Sequence, residues 1–398
     1  MSGDDLRTLF LRHLCQTSAA PLGLTVERAS GSTVWDTAGR AYLDLLAGMG
    51  VANVGHTHPE VVAAVRAQVE RHLHVMVYGE FIEEAQVRLA ARLAGLLPPP
   101  LDVVYFTSSG AEAIEGALKT ARKHTRRSGL VAFEGGFHGD TLGALSVGGN
   151  PRYRAPFEPL LADVRWLPFD DEGALAAIDR RTAAVIVEPI QAEGGVRIPG
   201  AGFLGALRRR CDETGALLVL DEAVTGFGRT GTLFAFEHWG IVPDILVLAK
   251  ALGGGLPLGA FVGSPAVMGT LSHDPPLAHV TTFGGHPVSC GAGLAAIEVL
   301  LRDRLPARAA ALGDKLRTDL GALVGRGGLA AVRGLGLLLG LEFATPDACA
   351  RFTHRALDAR LILNWTLHRD TVVRLAPPLV LTDHEATHAT ETIRAALG

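Results

Sequence analysis

Between residues 101 and 265 the chain alternates short apolar runs with amphipathic stretches, and this alternation limits the fold more than any other feature. The runs at 103–107, 129–133, 184–188, 216–220 and 245–249 have the length of strands, and the stretches at 111–123 and 203–214 read as helices. Uninterrupted apolar runs of this length suit strands covered on both faces, and the alternation with helices builds a mostly parallel sheet. Such sheets collect ligands at the carboxyl ends of their strands. The residues capable of chemistry stand at those ends: Ser108-Ser109-Gly110, Glu188, Asp221-Glu222 and Lys250. The expected fold class is therefore α/β.

The flanking regions carry weaker signals. Residues 4–16 place Leu6, Leu9, Phe10 and Leu14 on one helical face. A hairpin is expected from Val34 to Asp44 with Ala38-Gly39 at its turn, followed by a glycine-rich loop from Leu46 to His56. Helices are expected from about Pro59, over 83–97 before Pro98-Pro99-Pro100, and over 288–302. Strands are expected at 335–343 and 371–375. A chain of 398 residues suits one large domain and a smaller one. A net charge of -4 offers no electrostatic footprint for nucleic acid or anionic membrane. No stretch approaches the length of a membrane span, and no apolar leader opens the chain. Cys15, Cys211, Cys290 and Cys349 show no metal-type spacing, so no metal is expected and a reducing, cytoplasmic setting is.

Lys250 ends the apolar run Ile245–Ala249 and is followed at once by three glycines after Ala251-Leu252. The other lysines, Lys119, Lys123 and Lys315, lie on polar helical faces and read as solvated. An amine delivered by a buried strand is partly desolvated, which favours its neutral, nucleophilic form. A lysine that closes a strand and points to water explains the position equally well. Asp221 can hold a protonated ring nitrogen through a charge-assisted hydrogen bond, or cap a loop. Thr107–Ala113 joins a strand to a helix, where free N–H groups make a phosphate cradle; an ordinary Ser109 cap with Glu112 in the first turn accounts for the same residues. Phe137 can stack on a flat cofactor, with His138 orienting it, and Ala278–His286 offers hydroxyls beside glycines.

Taken in order, Ser109-Gly110-Ala111, Phe137-His138-Gly139, Glu188-Pro189, Asp221-Glu222, Thr225–Gly231, Lys250 and Thr281–Gly285 resemble the class III aminotransferases from about residue 20 to 390. The resemblance implies pyridoxal 5'-phosphate as cofactor and PLP fold type I, the aspartate-aminotransferase-like architecture. A large, mostly parallel sheet domain (51–290) would be joined by a smaller α+β domain (291–398), and an N-terminal segment (1–50) would pack with the latter. It implies Lys250 as the Schiff-base lysine and Asp221 as the pyridinium partner. Ser109, Gly110 and Ala111 would hold phosphate, Phe137 would stack on the ring, and His138, Glu188, Ala223 and Val224 would complete the cofactor site. Thr282 would reach the phosphate bound in the neighbouring subunit of a homodimer with shared sites.

The reaction implied moves an amino group from an amino acid or ω-amine to a 2-oxo acid, with 2-oxoglutarate as the expected acceptor. A racemase, epimerase or decarboxylase on the same scaffold would use the same core residues. For substrate, Glu193 and Arg374 resemble the gating pair of the ornithine, acetylornithine and 4-aminobutyrate branch, with Arg374 taking an α-carboxylate; Tyr78 joins this set. Two positions depart from that branch. Asp140 stands where acetylornithine-type enzymes have arginine, as in the diaminopelargonate aminotransferases, and Val224 replaces a frequent glutamine. Asp140 disfavours a second acidic group and favours a substrate amine, unless Arg152 or Arg154 compensates.

Overall fold

Leu218, Val219 and Leu220 have no exposed surface, as a run flanked on both faces requires, and their strand Leu217–Asp221 lies in the middle of a sheet. The computed structural model describes residues 5–19 and 21–398. Its largest sheet runs Val103–Thr107, Gly259–Gly263, Ile245–Leu248, Leu217–Asp221, Thr182–Val187, Gly129–Phe133, Val164–Leu167. From Ile245–Leu248 to Val164–Leu167 every neighbouring pair is parallel. Gly259–Gly263 is antiparallel to both of its neighbours. All the expected strands of this region appear, and the helices read at 111–123 and 203–214 appear as Gly110–Thr125 and Phe203–Thr214.

Two strands of this sheet escape the periodicity argument. Val164–Leu167 is a short edge strand. Gly259–Gly263 has glycine at both ends, which reads as a turn. Gly259 is there because the strand passes under the loop that follows Thr107: an added Cβ would lie 2.2 Å from the Ser109 carbonyl oxygen. Helix Gly110–Thr125 packs on the same strand, with Gly116 against Phe261.

A second, antiparallel sheet runs Leu329–Leu335, Leu338–Phe343, Arg369–Leu375, Asn364–Thr366. The stretch read as one strand at 335–343 is instead the turn and second arm of a hairpin. Gly336, at φ +53, makes that turn, and a Cβ there would lie 2.4 Å from the Thr230 carbonyl carbon. The N-terminal hairpin pairs Thr33–Asp36 with Ala41–Asp44, as read from sequence, and gains Val26–Ser30 as a further strand. Ala41–Asp44 also pairs in parallel with Leu361–Ile362, so the N-terminal strands are joined to the C-terminal region. Helix Leu6–His13 buries none of its side chains, and Asp4, the expected start of that helix, is outside the described residues. Cys211, Cys290 and Cys349 are buried free thiols and Cys15 is exposed. Among the described residues no helix is long and apolar enough to cross a membrane.

The three regions meet at Arg229, which has no exposed surface. Its guanidinium donates to the carbonyls of Leu337 and Pro377 and, at 2.6 Å, to Oδ1 of Asn53. Asn53 in turn donates to the Phe227 carbonyl at 2.8 Å. Among the described residues no carboxylate hydrogen-bonds this guanidinium, and burial pulls it down to about 9. The fork geometry of guanidinium lets one side chain satisfy three acceptors from three chain segments. Arg229→Met should leave those acceptors unpaired at about 1–3 kcal/mol each and cost at least ~3 kcal/mol in urea unfolding. Arg229→Lys should recover little of it, because an ammonium on a flexible stem cannot span all three.

Candidate active site

Parallel strands end together, so the loops after Thr107, Phe133, Val187, Asp221 and Leu248 converge on one edge of the large sheet. They enclose a cavity of ≈ 690 Å³. Ser109, Gly110, Ala111, Phe137, His138, Glu188, Glu193, Asp221, Ala223, Val224 and Lys250 all line it. Ser108, Thr225 and Asn364 add polar groups, and a set of apolar side chains comes from elsewhere in the chain: Met49 and Val51, Leu256 and Leu258, and the hairpin residues Trp365 and Leu367. Sequence reasoning missed these six. Only the glycine-rich loop around Met49 had drawn notice.

Asp221 is 5% exposed, and its oxygens are both engaged. His138 Nδ1 donates to Oδ2 at 2.8 Å, and the Ala223 N–H donates to Oδ1 at 3.0 Å. Its neighbour Glu222 faces the opposite way, accepting from the backbone N–H of Ala235 and Phe236 and from the Thr225 hydroxyl. The two adjacent carboxylates thus have unrelated jobs, because successive side chains of a strand point to opposite faces. Glu188 accepts from the Phe137 N–H at 2.9 Å and the Ala192 N–H at 3.2 Å. Burial pushes its carboxyl up to about 7, against the pull of His138.

Lys250 adopts φ +51 directly after its strand, turning back over the sheet edge. Burial holds its ammonium below the ordinary lysine range, although Asp221 pulls the other way. Of the four lysines it is the one that lines the cavity. Lys119 and Lys123 are not free on their helix, since they reach the carbonyls of Ala278 and His273. Arg374, 2% exposed, is ion-paired with Glu193, whose second oxygen accepts the Leu367 N–H at 2.8 Å. Burial pushes the Glu193 carboxyl up, but Arg374 and the Leu367 N–H outweigh it and leave it below the usual range.

Ser109 is the cap that its position allowed. Its hydroxyl accepts the Glu112 N–H at 3.2 Å, and Glu112 accepts the Ser108 N–H at 2.7 Å. The start of the helix nevertheless opens into the cavity at Gly110 and Ala111. A Cβ on Gly110 would lie 3.1 Å from that of Ala249. Four expected site residues do not line this chain's cavity, and Arg374, which meets it only through Glu193, is one of them. Asp140 is exposed and borders a small side cavity behind Phe137. Tyr78 lines a different cavity, with Thr281 and Gly284, and Thr282 is exposed on that same segment. Neither arginine offered as a substitute cation reaches the cavity. Arg154 is buried over the Trp166 ring, 3.8 Å from its centroid, and Arg152 is exposed.

A family description that fits this arrangement is "Aminotransferase class-III", whose model matches residues 15–397. The chain belongs to that family. Among its relatives is an acetylornithine aminotransferase of Methanosarcina acetivorans, 42% identical over 91% of this chain and 89% of the other. A putrescine aminotransferase of Pectobacterium atrosepticum is also 42% identical, over 92% and 81%. Among solved structures, the ornithine aminotransferase of Toxoplasma gondii superposes with a TM-score of 0.91 at 33% identity, covering 98% and 93%. An amine transaminase of an uncultivated Pseudomonas species, in its PLP-bound form, gives 0.91 at 30% over 97% and 98%. These relatives are aminotransferases and transaminases, the first of the two reaction classes that the core residues allowed. This class-III aminotransferase has the PLP fold type I architecture and uses pyridoxal phosphate. The cavity suits that group, because a deeply set amine, a buried carboxylate, an aromatic side chain and an open helix start all border it.

The Glu222 carboxyl generates a pH effect separable from catalysis. Burial pushes it up to about 7 from 4.5, outweighing the N–H bonds it accepts. A raised carboxyl binds its proton more tightly in the folded state. Its contribution to stability is therefore full below about pH 4.5 and is lost as pH rises through about 7. Between those limits, urea titrations should show the wild type losing on the order of 3 kcal/mol relative to Glu222→Gln, which cannot ionise.

Proposed function

We propose that this aminotransferase carries an amino group from a primary amine to a 2-oxo acid, with Lys250 and Asp221 serving the chemistry and Arg374 the acceptor. The observation that carries this reading is the convergence on one cavity of Lys250, the Asp221–His138 pair and Glu193, which is ion-paired with Arg374. Pyridoxal phosphate, when bound, supplies the electron sink that lets a C–H bond next to the transferred nitrogen ionise. Lys250 Nζ, whose ammonium form burial disfavours, takes that proton from the donor carbon and returns it on the opposite side of the nitrogen. Asp221, held by the N–H groups of His138 and Ala223, favours a proton on the ring nitrogen. Gly110 and Ala111 offer backbone N–H groups to the phosphate, with Ser109 beside them. Phe137 covers a ring face, with its amide pinned by Glu188. Ala223 and Val224 complete the cofactor pocket.

Arg374 binds the α-carboxylate of the 2-oxo acid, 2-oxoglutarate being the acceptor we favour, once Glu193 swings aside. With Glu193 in place the pocket presents a carboxylate to the donor. The walls of Met49, Val51, Leu256, Leu258, Trp365 and Leu367 favour a donor with an apolar or amine-bearing chain over one with a second acid. The names of the relatives, acetylornithine and putrescine among them, point to the same class of donor. Arg374→Ala should raise KM for 2-oxoglutarate roughly ten- to a hundredfold while leaving KM for a monoamine donor nearly unchanged. Equal losses for both would remove the carboxylate assignment.

A homodimer completes the reading, with the small and large domains divided near residues 50 and 290. The segments holding Tyr78 and Thr282 lie side by side and expose Phe81 at 55%, Ile82 at 94% and Phe283 at 56%. Apolar side chains exposed this far mark an interface. Thr282 then reaches the phosphate bound by the neighbouring chain. Mixing inactive Lys250→Ala chains with inactive Thr281→Val/Thr282→Val chains should restore activity in the mixed dimers. Verified subunit exchange without recovery would show that the sites are not shared.

A further inference from the structure

The turn between Asn364–Thr366 and Arg369–Leu375 reaches the site without belonging to any motif. His368, at its tip, stacks on Tyr153 with ring centroids 5.2 Å apart and planes at 27°. It meets Phe137 edge to face at 5.7 Å and 80°. Its Nδ1 lies 3.2 Å from the Gly135 carbonyl oxygen and donates to it. Burial holds the imidazole below its ordinary range, so the ring is neutral at pH 7. Tyr153 closes the arrangement by donating from its hydroxyl to the Leu367 carbonyl at 2.8 Å.

Two consequences follow from the packing. Phe137 borders both the main cavity and the side cavity that Tyr153 and His368 help to line. That side cavity holds ≈ 10 Å³, about the room of one water, so the Phe137 ring has nowhere to retreat. The same turn is also tied to the gate. The Leu367 N–H donates to Glu193 Oε2, and the His368 N–H donates to the Glu193 carbonyl at 3.1 Å. When a substrate carboxylate displaces Glu193 from Arg374, the Leu367 amide loses its charged acceptor.

We propose that His368 is a positioning residue for the Phe137 ring, and that its turn couples this ring to the state of the Glu193–Arg374 pair. This rests on the reading above of Phe137 as the ring that covers the cofactor. Truncating His368 opens the space behind Phe137 and releases the ring from the main cavity. The cofactor then loses part of a stacking contact, and the gate loses its connection to the cofactor face.

The experiment measures equilibrium binding of pyridoxal phosphate to the apoenzyme, with thermal unfolding of the apo form as a control for folding. His368→Ala should raise the cofactor Kd about tenfold with little change in apo Tm, and His368→Phe should recover most of the affinity. Tyr153→Leu, which removes the support of His368, should weaken binding in the same direction and stands in if His368→Ala does not fold. Glutarate, an unreactive dicarboxylate able to pair with Arg374, should shift the cofactor Kd of the wild type but not that of His368→Ala, whose turn keeps its backbone bonds to Glu193 but carries no ring against Phe137. Unchanged cofactor affinity in both His368→Ala and Tyr153→Leu would overturn the positioning role. An equal glutarate shift in wild type and His368→Ala would overturn the coupling. Failure of the underlying functional reading would appear in the wild type itself, as absent cofactor binding, whereas failure of this inference appears only in the comparison of variants.

Discussion

A carboxylate buried at the end of a strand needs hydrogen-bond donors, and the way Asp221 obtains them organises the site. One donor, Ala223, is supplied by the loop that follows it; the other, His138, comes from a loop 83 residues earlier. Bringing that imidazole to Asp221 brings its neighbour Phe137 as well, and Glu188 secures the Phe137 amide from the next strand of the sheet. Satisfying one buried charge thus fixes three strand-end loops relative to each other. The same negative charge acts on Lys250, opposing the desolvation that lowers its ammonium.

Around this centre the buried charges are mostly paired, but the pairing is uneven. Glu193 and Arg374 neutralise one another across a gap of 181 residues. Arg229 has only neutral acceptors, a costly arrangement that ties the Thr225–Gly231 loop to Asn53, Leu337 and Pro377. The guanidinium of Arg374 adds a second buried positive charge nearby and pushes Arg229 further down. The polar side of the cavity is therefore built on the edge of one sheet, while Arg374 and part of the wall are brought by a second sheet.

Much of this was legible in the chain, and for a definable reason. The strands at 103–107, 129–133 and 245–248 were readable because residues buried on both faces must be apolar without interruption. Lys250 stood out because it is charged at the end of such a run. Gly259–Gly263 was not readable, since its glycines answer to the backbone of Ser109 and not to strand propensity. The hairpin turn at Gly336 was missed for a similar reason: its constraint is the approach of Thr230, more than a hundred residues away. Ser109 illustrates a position where both interpretations hold, as it caps the helix whose open start borders the cavity.

By itself the sequence determined the parallel α/β core, the strand ends that carry the polar residues and, through the order of its motifs, the family and its cofactor. These depend on local patterns, which burial and hydrogen bonding impose on neighbouring residues. Only the tertiary structure decided that Glu222 turns away from Asp221, that Arg154 serves Trp166, and that Met49, Trp365 and Leu367 line the cavity. It alone placed His368 beside Phe137, 231 positions earlier in the chain. Such neighbours carry no local signature, because a contact between distant segments constrains their shape and separation while leaving the periodicity around each residue unchanged.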